Sequence, residues 1–136
     1  MDGNCLFRSI ADQLEGNEKL HRKYRSDAIA YMEENKEEFI PFIEDDEKIE
    51  DYLAHMCKDS VWGGQQEIQA LSMKYKFNLI LHQVDNPIMA FSNYPWGEVP
   101  TLHISYHLGE HYNSIRLIDD FEHGPPKFIG HDLKLV

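Results

Sequence analysis

The sequence predicts an α+β fold in which helices pack on a small, mostly antiparallel central sheet. Apolar residues recur at helical spacing through the first half of the chain, whereas strand signals begin only at Phe77. Because the helices precede the strands instead of alternating with them, an α+β arrangement is favoured over a doubly wound sheet. The 136 residues and 42% hydrophobic content fit one compact domain with an ordinary core.

Four helices are predicted before the first strand, each with apolar residues three or four positions apart. Gly16 is expected to end the first helix, and Pro41 prevents continuation of the second. These stripes are interpreted as core, and no cofactor motif is found among them. The predicted helices span residues 6–14, 20–34, 49–56 and 68–75.

Strands are predicted at residues 77–82, 88–91 and 101–107, and a last one begins at His111. In the third strand Leu102, Ile104 and Tyr106 alternate with polar residues. This pattern predicts one apolar face and one polar face, so we expect the sheet to be covered on one side only.

Charge and hydropathy exclude two classes of partner. With 13 basic and 24 acidic residues the formal net charge is −11, and such a surface repels the phosphate backbone of nucleic acids. No apolar run approaches the roughly 20 residues of a membrane helix, and no secretory leader is present, so a cytoplasmic or nuclear protein is expected. The acidic stretches at 33–38 and 44–51 are either solvated surface or a means of steering a basic partner.

The two cysteines and the spaced histidines do not predict a disulfide framework or a metal site. Cys57 lies at the end of the third predicted helix, and we expect it to be a buried structural residue. His103, His107 and His111 are four residues apart, which would align ligands on a helix. This segment is predicted as strand, turn and strand, so no metal is expected.

Cys5 follows a tight polar turn, Asp2-Gly3-Asn4, at the start of the first predicted helix. A helix start offers backbone N–H groups without intrahelical partners and the positive end of the helix dipole. Both favour a thiolate and supply donors for a developing oxyanion. The position is therefore typical of a nucleophile, although a free cysteine taken alone is more often a small buried hydrophobic residue.

A histidine stands far along the chain at a turn-to-strand junction, in Gly109-Glu110-His111-Tyr112-Asn113. Side chains two apart on a strand share a face, so Asn113 can accept the ring N–H of His111 and hold the other ring nitrogen toward a thiol. A thiol with a distant imidazole is typical of a cysteine hydrolase. The alternative is a strand whose polar end only meets solvent.

Three blocks of the chain resemble the ovarian-tumour (OTU) family of cysteine proteases, which are chiefly deubiquitinases with a papain-like site. Three blocks in the right order are more specific than any one of them. The resemblance implies a papain-like OTU catalytic domain over residues 1–120 and a short tail at 121–136 whose docking is left open. The blocks are Asp2-Gly3-Asn4-Cys5-Leu6-Phe7-Arg8, Trp62-Gly63-Gly64-Gln65-Gln66-Glu67-Ile68-Gln69-Ala70-Leu71 and Glu110-His111-Tyr112-Asn113-Ser114.

Carried over by position, the resemblance implies Cys5 as nucleophile, His111 as general base and Asn113 as third catalytic residue. Asp2 matches an acidic residue of the family's site. Many members carry aspartate where this chain has Asn113, which leaves the orienting role divided between Asn113 and Asp2. The oxyanion is expected to bind the backbone N–H groups of Cys5 and of the turn formed by Asp2, Gly3 and Asn4.

The resemblance further implies a thiol-dependent deubiquitinase that needs no cofactor. Ubiquitin or polyubiquitin is the expected partner, with a ubiquitin-like modifier as another possibility. Trp62 and Tyr112 are the candidate substrate-binding residues, although a tryptophan beside two glycines is as often a packing anchor. The alternative function is a weakly active or inactive ubiquitin-binding module of the same fold, since only four residues precede Cys5 and support its turn.

Overall fold

A computed structural model describes residues 3–43, 47–83, 86–107 and 111–115. Within these ranges helices come first and strands follow, as predicted. Short 3₁₀ segments at Glu18–Leu20 and Ile40–Phe42 lie beside the second and third helices. The helices are α1 (Cys5–Glu15), α2 (His21–Glu34), α3 (Lys36–Phe39), α4 (Ile49–Met56) and α5 (Gln65–Tyr75); the strands are β1 (Asn78–Gln83), β2 (Met89–Phe91), β3 (Thr101–His107) and β4 (His111–Ser114).

Helix α1 lies between α2 and the β3–β4 end of the sheet. Its stripe of Leu6, Phe7 and Ile10 is completely buried. The helix ends where Gly16 adopts a left-handed conformation, with φ of 67°, and its N–H donates to the Asp12 carbonyl at 2.8 Å. This packing places the amino end of α1, and with it Cys5, beside the sheet.

The four strands form one sheet in the order β2-β1-β3-β4. The central pair β1–β3 is parallel, whereas β1–β2 and β3–β4 are antiparallel. The α+β class and the mostly antiparallel sheet are therefore confirmed. Leu79, Leu81, Leu102 and Ile104 share the face that joins the helical core.

The other face of the sheet is also buried at its central strands, so the prediction of one covered side is wrong there. Ile80, His82, Thr101 and His103 lie on this face, and each is at most 8% exposed. His82 Nε2 lies 2.9 Å from His103 Nδ1, and the two rings stack. The two imidazoles thus share one hydrogen bond on this buried face, while His82 Nδ1 is buried with no hydrogen-bond partner among the described residues. Burial, and next the nearby His103, lower the pKa of His82.

Gln13 joins α1 to two strands through one buried side chain. Its Nε2 donates to Ser114 Oγ at 2.7 Å and to the Ile115 carbonyl at 2.8 Å, and its Oε1 accepts the backbone N–H of His103 at 3.0 Å. Ser114 Oγ donates in turn to Asp12 Oδ2 at 2.6 Å. The helix that begins at Cys5 is therefore fastened directly to the strand that begins at His111.

Cys57 is exposed, which overturns its prediction as a buried residue. Helix α4 ends one residue earlier, at Met56, and Cys57 Sγ lies 3.1 Å from the Ala54 carbonyl. The helical stripe therefore stops before it reaches Cys57. Within the residues described, no helix has both the length and the apolar character that a membrane span requires. Asp2, the boundary near residue 120 and the tail at 121–136 lie outside the described residues.

Candidate active site

Cys5 and His111 line the same cleft, of about 600 Å³, where the amino end of α1 meets β4. The cleft combines a thiol, an imidazole, an amide and several charged groups. Its lining includes Cys5, Arg8, Ser9, Asp12, Glu18, His111, Tyr112, Asn113 and Ser114. The structure therefore brings together two residues that the sequence places at opposite ends of the domain.

Cys5 is the first residue of α1 and is 6% exposed. Asn4 occupies the N-cap position, but its side chain makes no capping hydrogen bond to the helix. The dipole of α1 points its positive end at this position, where negative charge is stabilised. The location is thus the one predicted for a nucleophile.

His111 begins β4, and Asn113 lies two residues later. His111 Nε2 is 3.1 Å from Asn113 Oδ1. Because a carbonyl oxygen only accepts, Nε2 carries the ring proton and Nδ1 keeps the lone pair. Nδ1 is buried, and no hydrogen-bond partner for it occurs among the described residues. Asn113 therefore holds His111 in a tautomer whose Nδ1 can accept a proton.

The turn before Cys5 packs tightly against the segment that follows α4. The N–H of Gly3 donates to the Ser60 carbonyl at 3.1 Å. A Cβ added at Gly3 would lie 2.1 Å from that carbonyl oxygen and 2.7 Å from the Trp62 nitrogen, so only glycine fits. Gly3 is thus wrong as a predicted oxyanion donor, because its N–H is directed to Ser60. The N–H groups of Asn4 and Cys5 remain predictions, and Asp2 lies outside the described residues.

Arg25 is a buried residue of this region that the sequence analysis missed. It is 3% exposed and contacts Asn4, Gly3, Met56 and Val61. The available signal was its position on α2, because Arg25 stands three and four residues before the buried Ala28 and Ile29. A charged residue within an apolar stripe is rarely buried without several partners.

Glu67 is a second buried ionisable residue near the turn. Its Oε2 accepts a hydrogen bond from Tyr52 Oη at 2.6 Å, and its Oε1 accepts the N–H of Gly64 at 2.6 Å. Burial raises the pKa of Glu67, while the bonds from Tyr52 and Gly64 and the charge of Arg25 oppose that rise. Glu67 thereby fixes the start of α5 behind the Trp62-Gly63-Gly64 segment.

The two candidate substrate-binding residues occupy different places. Tyr112 lines the cleft at 7% exposure, and its ring centroid lies 4.6 Å from that of Tyr106. Burial raises the pKa of Tyr112, with smaller contributions from Tyr106 and Cys5. Trp62 is 40% exposed and borders the Gly3 turn, outside the residues that line the cleft. In the part of the chain that is described, no group of three His, Cys, Asp or Glu side chains is placed to hold a metal ion.

A family model described as "OTU-like cysteine protease" matches residues 1–112. The chain belongs to the OTU family. It is 46% identical to "OVARIAN TUMOR DOMAIN-containing deubiquitinating enzyme 7" of Arabidopsis thaliana over 98% of its length, and 39% identical to "OTU domain-containing protein 3" of Mus musculus over 91%. It spans only 36% and 31% of those two relatives.

Solved OTU domains share this papain-like fold. The OTU domain of OTUD1 aligns with a TM-score of 0.75 at 24% identity, covering 83% of this chain and 79% of that one. An OTU domain in complex with ubiquitin aligns with a TM-score of 0.71 at 25% identity, covering 90% and 69%. The predicted OTU family and fold are therefore confirmed.

Proposed function

We propose that this chain is a thiol-dependent deubiquitinase that hydrolyses isopeptide bonds at the C-terminal glycine of ubiquitin. The observation that carries the proposal is the cleft in which Cys5 meets a histidine held by Asn113. Membership of the OTU family supports thiol protease chemistry. The name of the Arabidopsis relative and the ubiquitin bound to a related OTU domain support ubiquitin as the substrate.

The geometry supports a two-step reaction through a thioester. His111 Nδ1 accepts the Cys5 proton, and the thiolate attacks the glycine carbonyl carbon to form a tetrahedral oxyanion. The N–H groups of Asn4 and Cys5 would stabilise that oxyanion. The C–N bond then breaks, and the imidazolium protonates the departing lysine amine. Water, deprotonated by His111, attacks the thioester and releases the carboxylate and the Cys5 thiol.

Asn113 is the orienting residue in this scheme. Its hydrogen bond to His111 Nε2 lies within the described residues, which supports assigning the role to Asn113. An amide fixes the ring without adding a negative charge beside the imidazolium. Tyr112 lies in the cleft beside this pair and would contact the ubiquitin tail.

Ubiquitin carrying a thiol-reactive electrophile at its C-terminus tests the proposal. We expect the wild type and Cys57→Ala to become labelled and Cys5→Ala to remain unlabelled, with a thermal melt to confirm folding. Cys57 is a stringent control because it is exposed whereas Cys5 is 6% exposed, so unspecific alkylation would favour Cys57.

The alternative outcomes are distinct. A folded wild-type protein that binds ubiquitin but neither becomes labelled nor cleaves di-ubiquitin would be a binding module, and the proposed activity would be wrong. Labelling by a ubiquitin-like modifier probe, but not by the ubiquitin probe, would retain the thiol chemistry and change the substrate. Cleavage by Cys5→Ala would exclude Cys5 as the nucleophile.

A further inference from the structure

Arg25 contacts several backbone carbonyl groups around the turn that precedes Cys5. Its Nη2 donates to the Val61 carbonyl at 2.7 Å and lies 3.4 Å from the Gly3 carbonyl, while Nη1 donates to the Met56 carbonyl at 2.8 Å. The guanidinium also lies over the Phe7 ring, 4.4 Å from its centroid. One buried cation therefore joins α2, the end of α4, the segment at Val61 and Gly3 of the turn before Cys5.

The Asn4 side chain forms the last link between this cation and Cys5. Asn4 Oδ1 accepts from Arg25 Nη2 at 2.8 Å and from the Ser60 N–H at 3.0 Å, while Nδ2 donates to Asp59 Oδ1 at 3.2 Å. Asn4 is 2% exposed. Because these three bonds fix the side chain from two sides, they also fix the orientation of the peptide that links Asn4 to Cys5.

We propose that Arg25 and the Asn4 side chain are positioning residues for the reaction: together they hold the Asn4–Cys5 peptide, and with it the sulfur, in the orientation that attack requires. The proposal rests on the function proposed above. Neither side chain is among the cleft-lining residues, so they act through the turn. A displacement of about 1 Å at a reacting group can cost roughly 10²-fold in rate.

The chemistry of the pair explains why these residue types are needed. A guanidinium is planar and always charged, and it offers several donors at fixed angles that reach several carbonyl oxygens at once. A lysine ammonium at position 25 would keep the charge without that geometry. An aspartate at position 4 would keep the acceptor for Arg25 and Ser60 but would set a second carboxylate against Asp59.

The sharpest test exchanges the side chains of Asn4 and Asp59, which are joined by a hydrogen bond. We expect Arg25→Lys and Asn4→Asp each to lower kcat on a ubiquitin substrate by about 10²-fold, with KM changed by less than about 2-fold. Asp59→Asn alone should be nearly neutral, because its amide oxygen still accepts from Asn4. Combining Asn4→Asp with Asp59→Asn should recover kcat to within about 5-fold, since the new amide donates to the new carboxylate.

Two control variants separate positioning from loss of stability. Arg22→Met removes an exposed neighbour whose Nε lies 3.9 Å from Asp59 Oδ1, and it should leave kcat unchanged. Tyr75→Phe removes a partly buried hydrogen bond between α5 and Asp27 that includes none of the contacts of the turn, so it should lower the melting temperature without lowering kcat. A kcat that falls in Tyr75→Phe as far as in Arg25→Lys would overturn the proposal.

Alkylation of Cys5 by iodoacetamide in the Cys57→Ala background tests the same arrangement without ubiquitin. We expect the rate to fall in Arg25→Lys and Asn4→Asp and to recover in the exchanged pair. Wild-type rates in a folded Arg25→Lys protein, or no recovery in the exchanged pair, would overturn the positioning role. A protein that shows the alkylation pattern but never reacts with ubiquitin would contradict only the proposed substrate.

Discussion

The two sides of the cleft are held in different ways. Cys5 follows a buried turn whose partners lie on α2 and on residues 56–61, far away in sequence. His111 is half-buried, Asn113 is exposed, and the bond between them joins residues two positions apart on one strand. The position of Cys5 therefore depends on tertiary packing, whereas the ring of His111 is oriented locally.

This difference predicts different consequences of mutation. A change anywhere among the partners of the turn should disturb the position of Cys5, because each partner contributes to one connected network. Changes beside His111 should act through the ring alone and leave stability nearly unaffected. This distinction is wrong if substitutions around the Cys5 turn and substitutions beside His111 have similar effects on the free energy of unfolding.

The largest effect is expected from Gly3→Ala. The added methyl carbon would lie 2.1 Å from the Ser60 carbonyl oxygen, so the turn must separate from that segment. We expect kcat/KM to fall by at least about 10²-fold and the melting temperature to fall with it. Gly64→Ala is the matched control, because its nearest contact would be 3.5 Å from a flexible glutamine side chain, and it should retain activity.

A smaller effect is expected at Asn113. Asn113→Ala removes the acceptor for His111 Nε2 and should slow turnover about 10-fold, well short of the loss in Cys5→Ala, with an unchanged melting temperature. Asn113→Asp should move the basic limb of the pH–rate profile to higher pH, because a carboxylate stabilises the neighbouring imidazolium. An unchanged profile would show that Asn113 does not act on the ring.

The smallest effect on turnover is expected at His82, which lies away from both sides of the cleft. Burial lowers the pKa of His82 in the folded protein, so its imidazole binds a proton more readily in the unfolded chain. The free energy of unfolding therefore declines as the pH falls below the ordinary histidine pKa of about 6.5. Urea unfolding should show a weaker decline between pH 7.5 and 5.5 in His82→Gln than in the wild type. His55→Gln, at an exposed position, should keep the wild-type slope; equal slopes for all three proteins would refute the assignment.

The predicted helices and strands lie close to those observed because apolar periodicity records which face of each element is buried. The apolar stripe from Leu6 to Ile10 and the glycine at position 16 predict the two ends of α1 closely. Cys57 was misassigned because its burial was inferred from its residue type, whereas it lies just beyond Met56, the last buried residue of α4. The buried His103 was missed because its partner, His82, lies on another strand.

The candidate site could be predicted only in part. Its chemistry-bearing residues Cys5, His111 and Asn113 lie in short motifs, and their residue types state what they can do. Arg25 and the Asn4 side chain act through contacts that join positions 21 to 56 residues apart, which periodicity does not encode. The donation of the Gly3 N–H to Ser60 was hidden for the same reason.

The Gln13 side chain joins parts of the chain that are very far apart in sequence. It bonds to backbone and side-chain groups that are 90, 101 and 102 positions away, and those groups lead directly to the strand of His111. Contacts of such separation form only after the intervening chain has been ordered. Until these contacts form, α1 is not joined to the strand of His111, so Cys5 and His111 come together only in the assembled domain.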